Sequence, residues 1–314
     1  DKDGEDLAIG RTLVARAFDA RGVETRRGLI TQIIDEALDG LDESFDAMRA
    51  FAAPIPIRVM TSIFGLPQDN LAEVRGWAED AAVLAMHPRR TTEQTIRMMT
   101  AVAGLQKMVF DAIAERRAEP RDDLLSTLIL ADANGRPLED SEIAPLCIFG
   151  MIAGSLTTTD LIGNTIVLLM QHSDQRGLLE SNPQLIACAV EESLRLEPPV
   201  SAVARHVVAD GEVMGCPMRA GSTVKASLLA ANHDPDFCED PHTFRIDRLA
   251  IPKHFAFGGG AHACLGAGLA RLEAQLAVER LFARFPGLSL IPTELPQKKT
   301  TYGFRGYARI PLSR

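Results

Sequence analysis

The stretch FAFGGGAHACLGAGLAR, Phe255 to Arg271, sets a single cysteine, Cys264, among glycines and runs straight into an apolar helical pattern. Gly258, Gly259 and Gly260 allow the backbone to turn sharply and to approach a flat partner closely. Leu265 and Gly266 open a helix whose first amide N–H groups have no partner within the helix and face the sulfur. That placement favours a thiolate. A thiol buried for packing alone requires none of it.

The loop therefore admits three roles: packing thiol, nucleophile or metal ligand. A nucleophile needs a base, and the neighbouring His262 has no third group in view to orient it. A zinc site needs further ligands that the loop lacks. One thiolate beneath a planar macrocycle needs a close loop, amide donors to the sulfur and an apolar cover such as Phe257, so heme iron suits the pattern best.

Composition narrows the setting. The 314 residues are 46% hydrophobic and 24% charged, enough to build a sizeable core. A net charge of −9 argues against non-specific binding to nucleic acid or to an anionic membrane, which leaves small molecules and proteins as partners. Cys147, Cys188, Cys216, Cys238 and Cys264 form no CxxC pair, so neither a disulfide framework nor a zinc ribbon is indicated, and a reducing cytoplasm is the expected compartment. The first residues, DKDGEDLAIGR, are charged where a signal peptide would be apolar.

Helical spacing dominates the chain. Leu29, Ile30, Ile33, Ile34 and Leu38 form one apolar stripe, and Leu269, Leu272, Leu276 and Leu281 form another. Between about residues 201 and 224, short β-branched runs broken by turn residues predict a small sheet. Residues 118–123 and 131–142 read as loops, and no repeat or composition shift divides the chain, so a single domain over 1–314 is expected. Pro145 to Met170 has the length of a membrane span. Asp160, Asn164 and several hydroxyls interrupt it and favour a buried central helix.

The segment FGGGAHACLG, Phe257 to Gly266, resembles the cytochrome P450 family, whose cysteine loop reads F-G-x-G-x-H-x-C-x-G, and it matches every defining position. The resemblance implies a mainly α cytochrome P450 fold, a large helical domain with small β-sheets. It makes Cys264 the axial iron ligand of heme b (iron protoporphyrin IX) and sets Phe257, His262, Leu265 and Gly266 around that cofactor. In EESLRLEPPV, Glu192 and Arg195 stand at i,i+3 on a helix and Arg205 follows, the order in which the family places an E-x-x-R helix, a turn and a propionate-binding arginine. The resemblance thus implies a structural role for Glu192 and Arg195. In DPHTFRIDR, Thr243 occupies the place of the family's frequent third arginine, and Arg248 is the substitute at hand.

LAIGRTLVARAF resembles the helix whose H-x-x-x-R pair binds propionates; Arg11 matches, while Leu7 stands in place of the histidine. AANHDP, RRAEPRDDLLSTLI and LARLEAQLAVERLFARFPGLSL are similar to segments of bacterial, soluble members. The resemblance covers the whole chain but enters the family pattern partway, so an N-terminally incomplete fold is expected, without part of the pocket lid.

AGSLTTT, Ala153 to Thr159, resembles the family's oxygen-binding groove, A-G-x-[DE]-T-T. The small Ala153 and Gly154 would let a ligand approach, and the Thr157 hydroxyl would serve the bound oxygen; bonding back to its own helix carbonyl is the alternative for Thr157. Leu156 replaces the acid that helps deliver protons, which leaves Ser155, Thr158, Asp160 or water to do so. Expected pocket segments are 152–158, 200–203, 302–305 and 84–90, largely apolar, for a lipophilic substrate.

The resemblance implies a heme-thiolate monooxygenase that inserts one oxygen atom of O2, typically by hydroxylation. Electrons would come from a separate ferredoxin and ferredoxin reductase docking near Arg11, Arg16 and Arg271. Leu156 and Leu7 motivate the competing readings, a heme-thiolate ligand sensor and a peroxide-driven peroxygenase.

Overall fold

The computed structural model describes residues 3–87, 89–133, 136–248 and 253–314. Twelve α-helices occur among them: α1 (Gly4–Phe18), α2 (Ala20–Glu24), α3 (Arg27–Asp39), α4 (Pro54–Phe64), α5 (Leu71–Met86), α6 (Thr92–Ala118), α7 (Leu124–Ile129), α8 (Asp140–Gln171), α9 (Ser173–Ser181), α10 (Ile186–Leu196), α11 (Leu228–Asn232) and α12 (Ala267–Arg284). Both predicted stripes are realised. Ile30, Ile33, Ile34 and Leu38 are buried on α3, and Leu269, Leu272, Leu276 and Leu281 on α12. Local chemistry sets the helix ends. Thr91 and Gln94 form a capping box at the start of α6, and α4 begins on Pro54 and ends at Gly65, whose φ of 70° suits glycine.

The strands are short: β1 (Ser44–Asp46), β2 (Asp132–Ala133), β3 (Arg136–Pro137), β4 (Ala202–His206), β5 (Gly211–Val213), β6 (Cys216–Met218), β7 (Thr223–Ser227), β8 (Ser289–Leu290), β9 (Gln297–Lys298), β10 (Tyr307–Arg309) and β11 (Pro311–Ser313). The sheet expected near 201–224 is present as two antiparallel pairs, β4 with β7 and β5 with β6. The expected loop 131–142 contains the pair β2–β3, and its residues 134–135 lie outside the described residues. Sequence reading missed the three-stranded sheet β1-β11-β8 and the pair β9–β10, because strands of two or three residues carry no alternation to detect.

Helix α8 runs through the middle, packed by α4, α5, α6, α10 and α12. It is long and apolar enough to cross a membrane, and 56% of its most apolar window is buried inside the molecule. Its C-terminal half, from Thr158 to Leu169, is buried without a break. Its N-terminal half leaves one stripe uncovered: Pro145, Phe149 and Ala153 are exposed at four-residue spacing, Phe149 to 68%.

Candidate functional site

Gly258 and Gly260, with φ near 67°, turn the chain so that the Cys264 amide donates to the Phe257 carbonyl at 2.9 Å. No described atom lies within 4 Å of where a Cβ would stand at Gly258, Gly259, Gly260 or Gly266. The glycines therefore serve backbone conformation and openness rather than packing. Cys264 retains exposed surface, and the Gly266 amide donates to its sulfur. Burial pushes the Cys264 thiol up, opposed by that amide and by the positive charges of Arg11 and Arg271. Leu265 packs against the core, and Gly266 caps α12.

Two adjacent glutamates on α10 fix the surroundings of this loop. Glu191 lies 3.1 Å from the His254 ring and accepts two bonds from Arg271, at 2.6 and 2.9 Å. Burial alone would raise its carboxyl, but these partners win and hold it at about 2. Arg271 also stacks 4.5 Å over the Phe257 ring, which places Phe257 between the loop and α12. Arg271 is thus held by Glu191 and Phe257 while part of its side chain stays exposed.

Glu192 is fully buried, and both of its oxygens accept from Arg195 at 2.8 Å. Arg248 adds a bond to it at 2.9 Å and ties in the carbonyls of Glu239, Asp240 and Thr243. Arg248 thereby supplies the third arginine expected in this core. Arg195 donates to the Asn232 carbonyl at 3.1 Å, and the Asn232 side chain accepts the Phe255 amide at 2.7 Å. The buried network is joined in this way to the start of the cysteine loop.

The remaining candidates divide. Arg11 is half-buried on α1 and near enough to act on Cys264, whereas His262 pairs with Asp3 at 2.6 Å. Arg205 is exposed on β4 and donates to the Ala204 carbonyl. On α8, Ala153 faces the open side, but Gly154 turns toward α4, where an added Cβ would come within 2.8 Å of the Met60 sulfur. The small residue at 154 therefore lets α8 pack closely against α4. The half-buried Thr157 donates its hydroxyl proton to the Ala153 carbonyl at 2.7 Å, the back-bonded arrangement, while Leu156 is buried.

Three of the four expected pocket segments meet. Val200 bridges Phe304, Ser201 donates to the Gly303 carbonyl at 3.1 Å, and Arg305 donates to the Pro199 carbonyl at 2.9 Å. The end of α5 closes on them: the His87 and Tyr302 rings lie 6.0 Å apart, and Met86 abuts Gly303. Pro88, within the α5-end segment 84–90, lies outside the described residues, and segment 152–158 on α8 is the one that does not join this junction. A cavity of about 550 Å3 behind this junction is lined by Ser201, Gly303, Arg305, Lys299, Thr301 and others, but not by Cys264 or Thr157.

Comparison with known proteins gives these features a family. A family model described as Cytochrome P450 matches residues 182–304. The polyketide biosynthesis cytochrome P450 PksS of Bacillus subtilis is 33% identical over 99% of this chain and 76% of its own length. The chain belongs to the cytochrome P450 family. Vitamin D(3) 25-hydroxylase of Pseudonocardia autotrophica is 37% identical to this P450, over 99% of the chain and 76% of that protein. A crystal structure of P450BioI in complex with hexadec-9Z-enoic acid ligated acyl carrier protein superposes with a TM-score of 0.93 at 32% identity, covering 99% of this P450 and 80% of that chain. The fold is the mainly α cytochrome P450 fold, and this P450 is a monooxygenase of small molecules with a heme-iron cofactor. The residues present fit such a group: an open thiol with an amide on its sulfur, on a loop whose glycines leave space free, and an uncovered apolar stripe on α8.

Proposed function

We propose that this P450 hydroxylates a lipophilic small molecule, with Cys264 as the thiolate ligand of heme b and electrons delivered by a ferredoxin and its reductase. The observation that carries this reading is the open Cys264 thiol under the Gly266 amide, in a molecule that leaves Phe149 and Ala153 uncovered on its central helix. When bound, heme supplies the activation of dioxygen and the transfer of one oxygen atom. The chain does the rest. The Gly266 amide and Arg11 stabilise negative charge on the sulfur, and Phe257 with Leu265 packs the loop that carries it against the core. Arg11 and Arg205 are the proposed propionate partners, and His262 joins them by giving up Asp3.

Ala153 lets the ligand come close, and Gly154 supports it by seating α8 against Met60. Thr157 holds a proton at Oγ1 beside the open face. Val200, Ser201, Tyr302 and Phe304 orient the substrate. The 25-hydroxylase and polyketide relatives support a bulky lipophilic substrate. A cytoplasmic location and a single heme domain over 1–314 complete the proposal.

The test is spectral titration of the heme-loaded protein with lipophilic compounds, followed by turnover with a surrogate ferredoxin system or peroxide. A spin-state change with oxidised product is expected, and Cys264→Ser should abolish the thiolate-type carbon monoxide spectrum. A Cys264→Ser protein that keeps that spectrum overturns the ligand assignment. Binding with no product from either oxidant replaces this reading with ligand sensing.

A further inference from the structure

The buried half of α8 carries a carboxyl that the site above does not use. Asp160 has no exposed surface. Its Oδ1 accepts from Lys299 Nζ at 2.7 Å, and its Oδ2 has no partner. An unpaired oxygen of a buried carboxylate is costly unless it carries a proton. Lys299, the residue after β9 and only 10% exposed, lines the 550 Å3 cavity together with Thr301, whose own buried hydroxyl also lacks a partner. Gly306 lies bare against the carboxyl, where an added Cβ would fall 2.3 Å from Oδ1. The charged groups acting on Asp160 from the packed elements are Lys299, which favours the carboxylate, and Glu79 on α5, which opposes it. Burial, joined by Glu79, outweighs Lys299 and carries the group up to about 7.

Asp160 follows Thr157 by three residues, one helical turn, on the helix where Leu156 stands in place of an acid. We infer that Asp160, held by Lys299, is the proton reservoir of the central helix and is refilled from the cavity beside the β9–β10 hairpin. The O–H bond at Oδ2 breaks as the proton leaves toward the Thr157 turn. That proton passes to a water molecule, the remaining carboxylate is matched by the Lys299 ammonium, and a hydronium ion arriving through the cavity re-forms the O–H bond and leaves water. This inference rests on the monooxygenase reading. It assigns Asp160 to positioning the proton, with Thr157 still nearest the open cleft.

Infrared difference spectroscopy on the protein with and without heme tests the reservoir apart from turnover. Wild type should show a buried carboxyl band that titrates near neutral pH, that Asp160→Asn removes, and that Lys299→Met moves to higher pH. In the heme-loaded protein, Asp160→Asn should retain the substrate spin-state change and lose product on the order of 100-fold, with the pH dependence of coupling near neutrality gone. A carboxyl that stays ionised from about pH 6 to about pH 8 overturns the inference whatever the activity. So does an Asp160→Asn enzyme with the coupling and pH profile of wild type. Failure of the monooxygenase reading would appear separately, as absence of product from wild type while the band still titrates.

Discussion

Glu192 on α10 and Asp160 on α8 are both fully buried carboxyls facing basic side chains, yet their surroundings differ in kind. Glu192 accepts four bonds, from Arg195 twice, from Arg248 and from the Arg245 amide, so neither oxygen is without a partner. Asp160 receives one, from Lys299, and leaves an oxygen bare. A saturated buried network fixes one geometry and one charge state. An unsaturated one leaves its charge adjustable, at a cost in stability when the proton is lost. The first region holds the chain segments under the cysteine loop together; the second has chemistry left to do.

Removing Glu192 should have the largest effect. Glu192→Ala strands two buried guanidinium groups and should lower unfolding free energy by about 3–5 kcal/mol, read by urea titration. A loss below about 1 kcal/mol would make this network no stronger than a surface pair. Next is Gly306→Ala, which drives a methyl into Asp160 and should cost about 1–3 kcal/mol in the same assay, with partial recovery in Gly306→Ala/Asp160→Gly. The third effect is graded by pH, small per unit but accumulating across the window. The folded Asp160 keeps its proton up to about 7, against 3.8 when unfolded, so its stabilising contribution is full below 3.8 and is lost as pH rises through 7. Thermal unfolding should show wild type losing ground to Asp160→Asn across that window, by at most about 1.4 kcal/mol per pH unit. A flat difference would place Asp160 with Glu192.

What could be read from the sequence was what lies close along it. The cysteine loop, the Glu192–Arg195 turn and the apolar stripes are contiguous patterns. Arg248 could be named from the gap at Thr243. Glu191 escaped because its partners His254 and Arg271 stand 63 and 80 residues away, and an adjacent glutamate on the same helix gives no hint of them. Lys299 is 139 residues from Asp160, which left Asp160 one proton-delivery candidate among several on its helix, with no partner in view. Gly154 was read by its size alone, and the α4 sulfur that needs the space comes from residue 60. Segments 200–203 and 302–305 were both named, but their meeting depends on backbone bonds between Pro199–Ser201 and Gly303–Arg305 that no local pattern encodes.

Glu191 and Glu192 stand side by side on α10, the first clamping the entrance of α12 and the second the arginine core. Since a helix advances by about 100° per residue, one residue gained or lost just before them would swing both carboxylates off their targets at once. The Met214–Gly215 turn between β5 and β6, wholly at the surface, would take the same change by growing outward. Tolerance to length change is therefore distributed very unevenly over this chain, and α10 is among the places where a shift in phase, with no change of residue type, would be enough to undo the supports of the cysteine loop.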